Sequence, residues 1–103
     1  MSAVYTLLVQ VGRKAGDGLP DGAIGAALLC YAAGVDEEEA VRETVTALKS
    51  ADLAPLDVTG YGTLNERLSE GHEVPAEERA LMDKAHGENA VIVAEVTPLF
   101  DSA

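Results

Sequence analysis

The sequence predicts an α+β fold in which one four-stranded mixed sheet carries helices on one face. Three observations lead to this prediction. Four apolar stretches have the length of strands, and three stretches combine helix-capping residues with a helical spacing of apolar positions. These elements follow one another in the order β-β-α-β-α-α-β. The chain has 103 residues, which predicts a single domain that buries a core without a metal ion or a disulfide bond.

The first two predicted strands pair with each other. Residues 4–11 place four apolar or aromatic side chains on one face, namely Tyr5, Leu7, Val9 and Val11. Residues 26–33 form a short apolar run between glycines, which favours a buried strand over a helix. The connecting residues 12–22 are rich in Gly, Asp and Pro and are too many for a tight hairpin turn. We expect two antiparallel strands and a loop that is either mobile or ordered by a partner.

The best-defined element is the helix that follows. Asp36 can accept hydrogen bonds from the free amides of the first turn, and Glu39 completes a capping box. One stripe of positions then recurs at intervals of three and four residues, namely Val41, Thr44, Val45, Leu48 and Ala51. Residues 53–59 form the next strand. A strand, a helix and a strand in this order predict a parallel crossover, and the first strand can lie between the two strands that it connects.

The second half of the chain supplies two helices and the last strand. Thr63 and Glu66 have the spacing of a second capping box, which predicts a two-turn helix. Residues 76–86 follow a proline and are expected to form a helix that Gly87 stops. Residues 90–96 are apolar at almost every position, so we expect a strand that is mostly covered on both sides.

Composition excludes several classes of partner. The net charge is −11 at pH 7 and the sequence has no basic patch, so neither nucleic acid nor a membrane surface is expected to bind. The single cysteine, Cys30, excludes an internal disulfide bond and is expected to pack as a small hydrophobic residue. The N-terminal residues lack the pattern of a secretion signal, so we expect a cytoplasmic protein. No cofactor is expected.

A ligand site is predicted where the third strand meets the following helix. Gly60, Tyr61, Gly62 and Thr63 form a turn there, and its free amides can hold an anion. Tyr31 joins this set if the tyrosines of different strands converge at one end of the sheet. The alternative is a capped turn in which the glycines only satisfy backbone angles. No catalytic residue is predicted, and the spacing of His and Glu matches no zinc or calcium pattern, so no metal site is expected.

The segment around the first helix resembles the corresponding segment of known protein families. A strand, the sequence Asp-Glu-Glu-Glu-Ala-Val at residues 36–41 and a return strand resemble small ferredoxin-like domains, and also the HicB-type antitoxin domain. The resemblance covers about the first half of the chain and implies a ferredoxin-like arrangement with a split β-α-β unit. No Pro-Gly-Cys turn precedes the helix and no DNA-binding segment follows it, so the antitoxin function does not carry over.

Three hypotheses for function follow. The first is a non-enzymatic interaction or small-ligand-binding module that acts as a homodimer or with another protein, because a sheet covered on one side leaves an apolar face. The second is a small ferredoxin-like enzyme with a pocket between the sheet and residues 12–22, where Tyr61, Tyr31 or His72 supplies the polar groups. The third is an antitoxin- or immunity-type antagonist of a basic protein, whose affinity falls steeply with salt.

Overall fold

A computed structural model describes residues 3–100 of the chain. In this part of the chain there are four strands and three helices in the predicted order. The strands are β1 (Ala3–Gly12), β2 (Ala23–Gly34), β3 (Ala54–Thr63) and β4 (Val91–Phe100). The helices are α1 (Glu37–Ser50), α2 (Leu64–Ser69) and α3 (Ala76–Glu88). The predicted α+β class and element order are confirmed, although every strand is longer than the sequence indicated.

The four strands form one sheet in the order β3-β1-β2-β4. The prediction of a mixed sheet is wrong, because each of the three hydrogen-bonded pairs among the described residues is antiparallel. Strands β2 and β3 do run in the same direction, since both are antiparallel to β1, but β1 lies between them and they share no ladder. The predicted position of the first strand is therefore confirmed. Because β1 occupies this position, β2 and β3 do not form a parallel pair.

One face of the sheet packs against α1. The side chains of Leu7, Val9 and Leu28 are buried there in one cluster with Ala40 and Leu48 of the helix. This surface is called the α1 face below. The predicted N-cap of α1 is confirmed, since the carboxylate of Asp36 accepts a hydrogen bond from the amide of Glu39 at 2.8 Å. The predicted capping box is wrong, because the carboxylate of Glu39 accepts from the amide of Val35 at 3.3 Å and not from that of Asp36.

The opposite face, called the α3 face below, has its own helical cover. Tyr31 of β2 is fully buried there against Val74, Met82 and Ala85, the last two on α3. The prediction that the helices share one face is therefore wrong. The physical reason lies in β2, which is apolar on both of its sides and so requires cover on both. The expected uncovered apolar face does not exist as one continuous surface.

The loop between β1 and β2 is held by its own chain. The guanidinium of Arg13 donates to the carboxylate of Asp17 at 3.0 Å and to the carbonyl oxygen of Ala23 at 2.6 Å. Leu19 packs against the core of the α1 face. Backbone amides donate to Asp17 and, together with Arg13, hold the pKa of that carboxyl below its usual value. None of the cavities described below is lined by this loop, so the pocket of the enzyme hypothesis is not among them.

Cys30 is expected to be unreactive in the folded protein. Its side chain is completely buried, and burial raises the pKa of the thiol to about 11, so the reactive thiolate is scarce at mildly alkaline pH. We expect no reaction with Ellman's reagent until a denaturant is added, and then one equivalent. A Ser50→Cys variant, with an exposed thiol on α1, serves as the reactive control. Labelling of native Cys30 at the rate of this control would contradict the buried position.

Candidate functional site

Four polar side chains form a cluster between the sheet and the helices on the α3 face. The hydroxyl of Tyr31 donates a hydrogen bond to the carboxylate of Glu78. The same carboxylate lies 3.9 Å from Nη1 of Arg67, and this nitrogen donates to the hydroxyl of Thr6 at 3.2 Å. This set, called the polar cluster below, joins β1, β2, α2 and α3. Its hydrogen bond between Arg67 and Thr6 joins residues that are 61 positions apart in the chain.

The fold places each member of the polar cluster through a regular element. Thr6 and Tyr31 are directly opposite each other in the β1–β2 register, so their side chains share the α3 face. Arg67 lies in the last turn of α2, where a cation is favoured, and Glu78 lies in the first turn of α3, where an anion is favoured. The two helix ends therefore present opposite charges to each other above the central strands.

Burial and a neighbouring carboxylate determine the protonation state of Tyr31. The pKa of Tyr31 is raised, first by burial and then by its hydrogen bond to the carboxylate of Glu78, while the guanidinium of Arg67 opposes this shift. The tyrosine therefore keeps its proton and remains a hydrogen-bond donor throughout the physiological range. This environment therefore disfavours the deprotonated form of Tyr31, which could act as a base.

A cavity of about 270 Å³ opens beside the polar cluster. Its lining is made of six residues from β1, β2, β3, α2 and the following loop, namely Thr6, Leu8, Leu29, Tyr61, Arg67 and His72. Leu8 and Leu29 are half-buried and directly opposite each other in the sheet, so they form an apolar floor. A second cavity of about 230 Å³ shares Leu8 and continues toward Asp57 and Leu99. The first cavity lies between the sheet and α2, whereas the second is lined by residues of the strands alone.

The predicted turn at the end of the third strand is part of β3. Gly60, Gly62 and Thr63 belong to the strand, and Thr63 is the N-cap of α2 with the capping box that the sequence predicted. The amide of Thr63 and the amide of Glu66 are both occupied by this box, at 3.2 Å each. These two amides are therefore committed to capping, as in the alternative interpretation of the turn.

The five predicted ligand residues are divided between the two faces. Tyr61 lines the cavity and Tyr31 belongs to the neighbouring polar cluster, whereas Tyr5 packs against the core of the α1 face, so the three tyrosines of the chain do not converge at one site. Gly60 is paired with Leu7 and lies on the α1 face, under the side chain of Glu37. The sequence did not identify Arg67 as a site residue. Its only signal was its place as the nearest cation to the Gly-rich segment.

A second surface feature is an apolar patch along β4. Four large apolar side chains are between 40% and 59% exposed at β4 and the adjoining end of β2, namely Ile24, Val93, Val96 and Phe100. Val93 and Val96 are paired with Cys30 and Leu28, so they lie on the α1 face. These four residues are called the β4 patch below. Within the described residues, β4 pairs with β2 on one side and its other side is a free edge.

Among residues 3–100, no three His, Cys, Asp or Glu side chains are close enough together to hold a metal ion. No helix in the same range has the length and apolar character needed to cross a membrane.

The fold and these surfaces define a small α+β protein with a helix on each face of an antiparallel sheet, a polar cluster beside a small cavity and one apolar sheet edge. The chain belongs to the family described as a domain of unknown function, DUF8846, whose family model matches residues 4–100. No curated protein and no solved structure matches the chain significantly.

Proposed function

We propose that the protein is a non-enzymatic interaction module that acts as a homodimer, and that two copies join through β4. The β4 patch is the observation that carries this proposal. Val93, Val96 and Phe100 are exposed along one free strand edge, and a free edge presents unpaired backbone groups that can pair with a second strand. An antiparallel β4–β4 pair across a two-fold axis would extend the sheet to about eight strands.

The two edges of the sheet differ in apolar content, and this difference supports the proposal. Prolines, charges and bulges are the features that protect natural edges from pairing. Each outer strand has one proline, one charged residue and two register shifts in its pairing with its neighbour, so these features do not distinguish the two edges. The strands differ in side-chain character, since β3 contains two glycines and β4 contains none. Large apolar residues occupy six of the ten positions of β4, namely Val91, Ile92, Val93, Val96, Leu99 and Phe100, so β4 is the more apolar of the two edges.

Charge also favours β4 as the contact surface. The chain has a net charge of −11, so two copies repel each other over most of their surfaces. A contact centred on Val93 and Val96 brings apolar groups together and places few like charges opposite each other. A strand of ten residues is roughly 33 Å long, which is long enough for an interface of standard size, about 800 Å² per partner.

The proposal predicts the effect of charging the β4 patch. We expect the double variant Val93→Lys with Val96→Lys to be a monomer, whereas the wild-type protein is a dimer in sedimentation velocity at the same concentration. The matched control is Leu56→Lys, which charges a residue that is 69% exposed on the opposite edge and should leave the dimer intact. Circular dichroism checks that all three proteins are folded. A wild-type monomer, or a dimer that survives the double substitution, would contradict the proposal.

A further inference from the structure

We propose that the cavity beside Arg67 is a binding site for a small monocarboxylate with an apolar body, and that the guanidinium of Arg67 is the group that anchors the carboxylate. The apolar body of the ligand lies on Leu8 and Leu29, and Tyr61 and His72 line the same cavity. This site lies on the α3 face and does not depend on the proposed pairing through β4.

The hydrogen bonding of Arg67 leaves donors open to the cavity. A guanidinium has five N–H donors, and within the described residues Arg67 contacts Thr6 and Glu78 through Nη1 and also interacts with the hydroxyl of Tyr31, so at least two donors remain. The side chain is only 13% exposed. No buried side-chain nitrogen or oxygen of a described residue lacks a hydrogen-bond partner, so the unused donors of Arg67 are not sealed in the core. Arg67 lines the cavity, so a ligand in the cavity contacts its side chain.

The polar cluster holds this guanidinium in a fixed position. Glu78 and Thr6 engage Nη1, and Glu78 is itself held by the buried hydroxyl of Tyr31. The unused edge of a fixed, planar guanidinium matches a carboxylate in two parallel hydrogen bonds. Because the protein has already ordered the arginine, a ligand does not need to immobilise that side chain on binding.

The charge around the cavity selects among anions. Arg67 is the one Lys or Arg in its lining, and the neighbouring carboxylate of Glu78 offsets part of its charge. The net charge of −11 further opposes a ligand with several negative charges. A singly charged carboxylate therefore fits better than a phosphate or a polyphosphate. The cavity volume of about 270 Å³ is near the lower end for small-molecule sites, which indicates a compact ligand.

The test uses benzoate and hexanoate as probes of the full chain labelled with ¹⁵N. We expect saturable shifts of the backbone amides at residues 6, 8, 29, 61 and 67 with at least one of these probes, and a much weaker response to inorganic phosphate. Arg67→Lys keeps the charge but loses the two-donor edge, so we expect about tenfold weaker binding. Arg79→Lys, an exposed position on α3, is the matched control and should bind as the wild-type protein does.

Three results would each overturn the proposal. Neither probe binds saturably, or the shifts are confined to other parts of the chain, or Arg67→Lys binds with unchanged affinity. If Arg67→Lys does not fold, Leu29→Gln takes its place, since it places a polar side chain on the apolar floor and keeps all four members of the polar cluster. It should weaken hexanoate binding by a similar factor, and an unchanged affinity would again overturn the proposal.

Discussion

Replacing Gly25 with alanine is expected to lower the free energy of unfolding by about 3 kcal/mol. Gly25 lies in β2, and a Cβ atom at this position would overlap the backbone carbonyl oxygen of Val11 in β1. Neither group can move away without separating β1 from β2, the two central strands of the sheet. Urea unfolding followed by circular dichroism measures the loss.

Gly60 provides a matched control for this substitution. A Cβ atom there would also overlap a neighbour, but the neighbour is the carboxylate of Glu37, which ends a flexible side chain on exposed α1 surface. We expect Gly60→Ala to cost less than about 1 kcal/mol, because the carboxylate can rotate away. If Gly25→Ala proved as mild as Gly60→Ala, the close approach of β2 to β1 at Val11 would be wrong.

Removing the carboxylate of Glu78 is expected to destabilise the protein by about 3 kcal/mol, the lower end of the range for breaking a buried ion pair, because its side chain is 27% exposed. The Glu78→Ala variant leaves the guanidinium of Arg67 without its anion and the buried hydroxyl of Tyr31 without its acceptor. Both losses fall on groups that the fold keeps largely away from water. Thermal and urea unfolding give the change in stability.

Two further variants show whether the polar cluster causes this loss. Glu78→Gln keeps an acceptor oxygen for Tyr31 and should lose less stability than Glu78→Ala. Glu77→Ala removes an exposed carboxylate from the same helical turn and should change stability by less than about 0.5 kcal/mol. A double-mutant cycle with Tyr31→Phe should return a coupling energy above about 0.5 kcal/mol. Equal effects of Glu77→Ala and Glu78→Ala would contradict the described cluster.

The local elements of this fold could be predicted because short-range signals determine them. Asp36 caps α1 and Thr63 caps α2 with the partners that the sequence spacing indicated. The odd-numbered residues of β1 do share one buried face, as the two-residue period of a strand predicted. The predicted end of α3 is wrong, because the helix continues through Gly87 to Glu88 and is capped by Asn89, which adopts the left-handed conformation.

The distribution of helices between the two faces could not be predicted in the same way. Residues 26–33 are apolar at every position, so their pattern does not distinguish one face from the other. A β2 strand that is buried on both sides is incompatible with helices on only one face of the sheet, so these two expectations conflict. A strand that is apolar on both sides requires two covers, and α1 and α3 supply them.

The candidate site was predicted only in part for a related reason. Tyr31 and Tyr61 stand out in the sequence because tyrosines are few in this chain. The contacts of Arg67 with Thr6 and Glu78 depend on how β1, α2 and α3 come together in space. No motif spacing encodes such contacts, and an arginine on a short helix is in most sequences a solvated surface residue. In the structure the side chain of Arg67 is only 13% exposed, and this burial distinguishes it from a solvated surface arginine.

Amide hydrogen exchange, resolved by residue in concentrated wild-type protein, tests the proposed pairing through β4 most directly. Both β3 and β4 are outer strands of the sheet, so in an isolated monomer the outward amides of both should exchange rapidly. The account predicts that the outward amides of β4 are strongly protected and that this protection is lost in the Val93→Lys, Val96→Lys variant. Equally rapid exchange at the β3 and β4 edges of the wild-type protein would contradict it.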